Sequence, residues 1–279
     1  MPRFIETNKK EMIIKRKKIN IIGIIPARMG STRFPGKPLV KIKNKAMIYH
    51  VYFRTKMCKE LNDVYIATPD LEIQDYCVHN NMNIIMTKDT HERASDRAAE
   101  AMLKIEEKLK QRIDIVVMVQ GDEPMVFPAM ISQALKPMLK DQSIQVINLT
   151  SPLKTPQERL DPNQVKVVMD KNNFALYFSR EPIPSQKKTT KDVLMYRQVP
   201  IIPFRRDFLI KFNKLKPTPL EIIESIDMLR LLECGYKVKI VKTQFEIYGV
   251  DTPSDLKRVN RAMKRDALCP IYITNKRRC

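Results

Sequence analysis

Three cationic side chains, Arg28, Arg33 and Lys37, fall within "ARMGSTRFPGKPLV" (27–40), among Gly30, Ser31, Thr32, Pro35, Gly36 and Pro38 and without an acidic neighbour. Small residues let backbone N–H groups approach an anion while the cations supply countercharge, so a polyphosphate is the natural guest. A second stretch, "VQGDEP" (119–124), places Asp122 and Glu123 directly after an apolar run. A carboxylate there can coordinate Mg²⁺ that bridges phosphate oxygens, although a Gly-Asp pair is also an ordinary turn. In a third, "GVDTPSD" (249–255), Asp251 read alone is an N-cap for a following helix. Five of the six glycines, Gly23, Gly30, Gly36, Gly121 and Gly249, lie in or beside these three loops. Neither a Walker loop nor GxGxxG is present.

The elements that must position these loops are legible as apolar runs. "NIIGIIPA" (20–27), "DVYIAT" (63–68), "NIIMT" (83–87), "DIVVMVQG" (114–121) and "IQVINLT" (144–150) read as strands. Residues 45–61, 70–80 and 92–110 carry apolar positions three and four apart and read as helices. The βαβ order predicts an α/β fold with a mostly parallel central sheet and helices on both faces. "IIGII" and "IVVMV" lack a polar face, as buried central strands do. In open sheets of this kind ligands sit beyond the carboxyl ends of the strands, where the first two loops fall. From about residue 151 to 215 prolines punctuate shorter strand-like pieces, including 164–170 and 174–179, which predicts a smaller β-rich insertion. A helix around 219–233, a strand at 237–243 and a final helix from about 252 follow. "SQKKTTKD" (185–192) reads as an exposed loop.

With 279 residues and 43% hydrophobic content the chain can bury a substantial core. Its formal charge of +20 is concentrated at the ends: residues 1–20 carry +5 and 257–279 carry +7. Basic ends of this kind bind nucleic acid or anionic surfaces, or are simply solvated; with no Trp in the chain, nucleic acid is not expected as the primary partner. Cys58, Cys77, Cys234, Cys269 and Cys279 form no CxxC pair and no disulfide framework, which suits a reducing cytoplasm. No apolar run approaches the length of a membrane span. His50, His79 and His91 have no partner at metal-ligand spacing, and the sixteen methionines read as core filler.

Together, "IIPARMGSTRFPGKPLVKIKNKAMIYHV", "VVMVQGDEPMV", "DPNQVKVVMD", "FALYFSREPIP", "PTPLEIIESIDMLRLLECG" and "GVDTPSDLKRV" resemble, in order and spacing, the 3-deoxy-manno-octulosonate (Kdo) cytidylyltransferases over about residues 20–265. The resemblance implies a Rossmann-like nucleotidyltransferase fold, a homodimer, and a Mg²⁺-dependent reaction of CTP with an acidic sugar to give CMP-Kdo and pyrophosphate. It implies CTP-binding roles for Arg28, Ser31, Arg33, Lys37 and Gln120, metal binding by Asp122 and Asp251, and catalytic roles for Arg28, Lys37, Asp122 and Asp251. Arg180, Glu221 and Gln198 fall on the acceptor side, Gln198 standing where the family has a histidine. The implied division is a basic extension (1–19), a cytidylyltransferase domain (20–265) and a C-terminal tail (266–279).

Departures from the family, all but the last named here, cluster on the sugar side that the resemblance implies. "RQVPIIPFR" (197–205) places Ile202 and Phe204 where that branch has tyrosines, Met228 stands for a glutamine, and "RASDR" (93–97) replaces a related polar stretch. A changed polar partner alters discrimination strongly, so an amino-substituted keto-acid sugar or a small phosphonate is an alternative acceptor. A non-enzymatic binder working through the basic ends would lose its activity on deletion of 1–18 and 266–279, whereas a CTP-dependent enzyme would keep turnover.

Overall fold

Both faces of the first strand are covered, which is why it has no polar side. Ile21 and Ile25 face one apolar cluster, and Ile22 and Ile24 face the other. The computed structural model describes residues 19–30, 34–188 and 192–273. The chain opens with β1 (Ile21–Pro26), a 3-10 turn (Lys37–Leu39), a hairpin of β2 (Lys41–Ile42) and β3 (Lys45–Ala46), and α1 (Met47–Lys56). It continues with β4 (Asp63–Thr68), α2 (Leu71–His79), β5 (Ile84–Met86), α3 (Ala94–Leu109), β6 (Ile115–Val119), α4 (Pro128–Lys140) and β7 (Ile147–Pro152). Then come α5 (Pro156–Leu160), β8 (Lys166–Met169), β9 (Ala175–Ser179), β10 (Tyr196–Val199), β11 (Ile201–Arg205) and α6 (Arg206–Lys214). The described chain closes with α7 (Pro219–Glu224), α8 (Met228–Glu233), β12 (Lys239–Lys242), α9 (Pro253–Ala262), a second 3-10 turn (Met263–Arg265) and α10 (Cys269–Ile273).

Apart from the β2–β3 hairpin, the strands form two five-stranded sheets. The first, ordered β11-β6-β1-β4-β5, is parallel except for β11 at its edge. Helices α1 and α4 pack on one face, with Val51 and Ile131 fully buried; α3 and α6 pack on the other through Met102, Ile105 and Phe212. The expected α/β architecture is therefore present. Its partition differs from the sequence expectation. β7 and β12, read as the continuing α/β pattern, pair with each other in a second, mixed sheet ordered β12-β7-β10-β8-β9. Strand runs announce themselves by composition, but their partners depend on crossovers that composition does not encode.

One corner joins the sheets. β10 belongs to the second and β11 to the first, with Pro200 alone between them. Proline lacks the N–H that a continuous ladder would use, and its carbonyl accepts from Gln120 N at 3.1 Å. The end of central strand β6 is thereby tied to the seam between the sheets. Residues 266–273, set apart by sequence as tail, are in their described part bound into the core: Cys269 and Tyr272 are buried beside α1. Among the described residues no helix is long and apolar enough to cross a membrane.

Candidate active site

The first loop is anchored before it reaches its functional side chain. Met29 N donates to Asp70 Oδ2 at 2.8 Å, and Gly36 N donates to the Met29 carbonyl at 3.2 Å. Gly36 adopts φ +69°, a left-handed conformation that side chains disfavour, and starts the 3-10 turn whose first residue is Lys37. The Lys37 ammonium is thus aimed by backbone geometry. It reaches Asp122 Oδ2 at 2.9 Å and Asp251 Oδ1 at 3.2 Å, across 85 and 214 positions of sequence. Burial pushes the Lys37 pKa down, but the two carboxylates outweigh it and hold the ammonium above its ordinary value.

The second and third loops are built against each other. Val250 N donates to the Asp122 carbonyl at 3.0 Å. A Cβ on Gly249 would lie 3.0 Å from Glu123 Oε1, so any larger residue here would press on the Glu123 carboxyl. Glu123 is buried behind Asp122, and burial together with the Asp122 charge pushes its pKa up to about 8. It sits largely protonated at neutral pH, so Asp122 and Asp251 provide the anionic face. The capping role read for Asp251 belongs to its neighbour. Thr252 accepts from Asp255 N at 3.3 Å and caps α9, while Asp251 N and Thr252 N donate to Asp255 Oδ2 at 3.2 and 2.9 Å. The cap holds the backbone on which Asp251 is displayed.

Two carboxylates facing one cation suit Mg²⁺, which is commonly held by one or two protein carboxylates and completed by substrate phosphates and water. Among the described residues no cluster of three or more His, Cys, Asp or Glu forms a self-sufficient metal cage. The donor set fits an ion shared with a polyphosphate.

Two cavities flank this point. A smaller one, about 190 Å³, is lined by Arg28, Arg93, Arg97 and Gln120, with Arg28 exposed at its edge. Arg97 is buried and donates to Thr87 Oγ1 at 2.7 Å and to the Lys88 and His91 carbonyls. Ser31 and Arg33 lie outside the described residues. The larger cavity, about 520 Å³, is lined by Asp122, Asp251, Arg180, Arg197 and Gln198, with Gln120 shared between the two. Arg180 is braced by the Glu224 carbonyl at 2.6 Å, the Pro162 carbonyl at 2.8 Å and the Ser225 carbonyl at 3.2 Å. Glu221 is not on the cavity wall. It pairs with the buried Arg230 and with Arg93 Nη1 at 3.2 Å, one layer behind.

The departures seen in sequence are not equivalent in space. Ile202, Phe204 and Met228 are buried in the apolar cluster under α6, Phe204 stacking on Phe212 with centroids 5.9 Å apart. Of the three changed polar positions, Gln198, Ile202 and Phe204, only Gln198 faces the cavity, which corrects the expectation of three altered sugar-side handles. Sequence reasoning passed over Arg197. It is 8% exposed, donates to Ser151, Gln164 and the Ile247 carbonyl, and lines the cavity. The available signal was an arginine alternating with Met195 and Val199 on the buried side of a strand.

A mainly parallel α/β sheet with a cationic loop after β1 and a carboxylate loop after β6 has the arrangement of a nucleotidyltransferase, and the comparisons place the chain in that class. The family model described as Cytidylyltransferase matches residues 22–242. Curated relatives named 3-deoxy-manno-octulosonate cytidylyltransferase from Geobacter metallireducens (42% identical, 88% of this chain and 99% of the relative) and Geotalea uraniireducens (41%, 88% and 100%) are similar to it over nearly their own full length. This chain belongs to the cytidylyltransferase family, in the branch of the 3-deoxy-manno-octulosonate cytidylyltransferases. Among solved structures it is similar to CMP:2-keto-3-deoxy-manno-octonic acid synthetase complexed with CTP, at TM-score 0.80 and 35% identity, covering 88% of this chain and 99% of that one. 4-Diphosphocytidyl-2C-methyl-D-erythritol synthase from Anaerococcus prevotii shares the fold alone, at TM-score 0.57 and 13% identity over 89% of this chain and 100% of that one.

Proposed function

We propose that this chain transfers CMP from CTP to the anomeric hydroxyl of Kdo, releasing pyrophosphate, with Mg²⁺ as cofactor. The observation that carries the reading is the meeting of Asp122, Asp251 and Lys37 beside a cavity that Arg180 and Gln198 also line. Arg28 and Lys37, with Ser31, Arg33 and Gln120, bind CTP; Lys37 exchanges its carboxylate partners for phosphate oxygens, leaving Asp122 and Asp251 to hold Mg²⁺. The bound ion supplies neutralisation of phosphate charge and polarisation of the α-phosphate. The anomeric oxygen forms a bond to the α-phosphorus, the bond to the β-phosphate oxygen breaks, and the hydroxyl proton passes to solvent. Lys37 and Arg28 stabilise the departing pyrophosphate, so alignment and countercharge carry the catalysis without a covalent intermediate. Arg180 and Gln198 contact the acceptor; Glu221, matched by the family to the acceptor side, acts from behind by holding Arg93 on the wall of the smaller cavity. The catalytic unit is assigned to residues 20–265, and the enzyme is read as a cytoplasmic homodimer.

A second reading, a different anionic acceptor, is favoured by one observation: Gln198 on the cavity wall in place of the family's histidine. The test is pyrophosphate release from CTP and Mg²⁺ with Kdo, its amino analogue and small phosphonates. Turnover with Kdo is expected. Turnover with another acceptor alone would transfer the assignment to the second reading, and no CTP turnover with any of them would overturn both.

A further inference from the structure

Behind Gln198 on the wall of the acceptor cavity lies a buried asparagine that the reaction itself does not use. Asn148, on β7, is fully buried, and its Nδ2 donates to the Leu149 carbonyl at 2.7 Å and the Val199 carbonyl at 3.2 Å. Carbonyls only accept, so these two contacts fix which end of the Asn148 amide is nitrogen. Its Oδ1 is left to face Gln198, whose Nε2 donates to it at 2.6 Å. Reversing the Gln198 amide would bring two carbonyl oxygens together at that separation. Gln198 Oε1 is therefore turned from Asn148, receives no hydrogen bond among the described residues, and belongs to a half-buried side chain on the cavity wall.

We propose that Asn148 is a positioning residue that fixes the Gln198 amide with its carbonyl oxygen toward the acceptor, so that the site selects an acceptor bringing a hydrogen-bond donor, a hydroxyl or an ammonium, to that point. The inference rests on the reading of this cavity as the acceptor site. A carbonyl oxygen cannot donate to a carboxylate or phosphonate, so what the acceptor brings to this oxygen is an O–H or N–H. Asp161 and Asp227, also on that wall, add further acceptors for hydroxyl or ammonium hydrogens. A site built to accept from a substrate N–H or O–H discriminates strongly against an analogue lacking it, because its own polar atom is then left unpaired.

The test is steady-state kinetics of the full chain with CTP and Kdo, its monodeoxy analogues and its amino analogue. For the wild type, one monodeoxy analogue should lose about tenfold in kcat/KM relative to Kdo. In Gln198→Met that difference should vanish. Retention of the amino analogue where that deoxy analogue fails would identify ammonium as an equivalent donor, and failure of both would restrict the site to hydroxyls, each outcome supporting a donor at this point. Asn148→Leu should raise the acceptor KM about fivefold while the CTP KM stays within about twofold, and the double variant should be no worse than Gln198→Met alone. Multiplying effects in the double variant, or an unchanged acceptor KM in Asn148→Leu, would overturn the proposal. Should Asn148→Leu not fold, Gln198→Met with the analogue series decides, and persistence of discrimination in that variant is the contrary result. Wild-type inactivity toward every acceptor would remove the functional reading and this proposal with it, whereas an active wild type insensitive to both substitutions would remove this proposal alone.

Discussion

Lys37 concentrates the electrostatics of the site. Its ammonium is mostly buried, a position that ordinarily lowers a lysine pKa, yet Asp122 and Asp251 hold it charged. Removing it leaves two carboxylates facing each other and takes from the proposed triphosphate site one of its cations. Lys37→Met is expected to lower kcat/KM for CTP by about a hundredfold, with most of the loss in kcat, because the charge it neutralises grows as pyrophosphate departs. Steady-state kinetics in CTP checks this; a change confined to the acceptor KM would contradict it. The loops holding Arg28, Lys37 and Asp122 stood out in sequence because glycine-flanked charge after an apolar run is unusual, whereas Asp251, a cap when read alone, drew its role from the family resemblance. Arg197 and Asn148 could not, since a polar residue within a strand reads as its solvent face until the opposing layer is known.

At the scale of elements, capping decides how the third loop presents its carboxylate, and sequence misplaced the cap by a single residue. The continuous helix read over 219–233 is broken at Ser225, which adopts φ +52° and ends α7 before α8 begins. The apolar periodicity runs on across the break, so nothing in the pattern announced it. Residues beyond 265 carried too much charge to be read as core, yet α10 is stapled to α1 by a buried chain of hydrogen bonds. Arg54 Nε donates to Tyr272 Oη at 3.0 Å, Tyr272 Oη donates to His50 Nδ1 at 2.9 Å, and His50 Nε2 donates to the Ile42 carbonyl at 2.7 Å. Burial lowers the His50 pKa to about 4, with the Arg54 charge adding to the shift against the backbone contact to Ile42. Since the folded value lies below the unfolded one near 6.5, the unfolded chain binds the proton first as pH falls. Stability from this group is complete above pH 6.5 and is lost as pH falls toward 4, by about 3 kcal/mol at most. Denaturant unfolding of His50→Gln should show a smaller stability than the wild type at pH 7 and a gap that narrows toward pH 4; parallel curves would contradict this account.

The whole molecule brings together what the chain keeps far apart. A parallel sheet places the loops after β1 and β6 at one edge, and the corner at Pro200 closes the second sheet over the same edge. Sequence supplied the α/β class and the loops, but not the division into two sheets, because pairing depends on which strands the crossovers return to. The central claim is that Asp122 and Asp251 act as one unit on a metal-bound nucleotide. The most direct measurement is the Mg²⁺-dependent turnover of CTP by Asp122→Asn, Asp251→Asn and the double variant, with unfolding midpoints recorded alongside. Each single change should lower kcat by about a hundredfold or more with little effect on the midpoint, and the double variant should lose far less than the product of the two. Undiminished turnover in either single variant, or losses that multiply in the double, would contradict it.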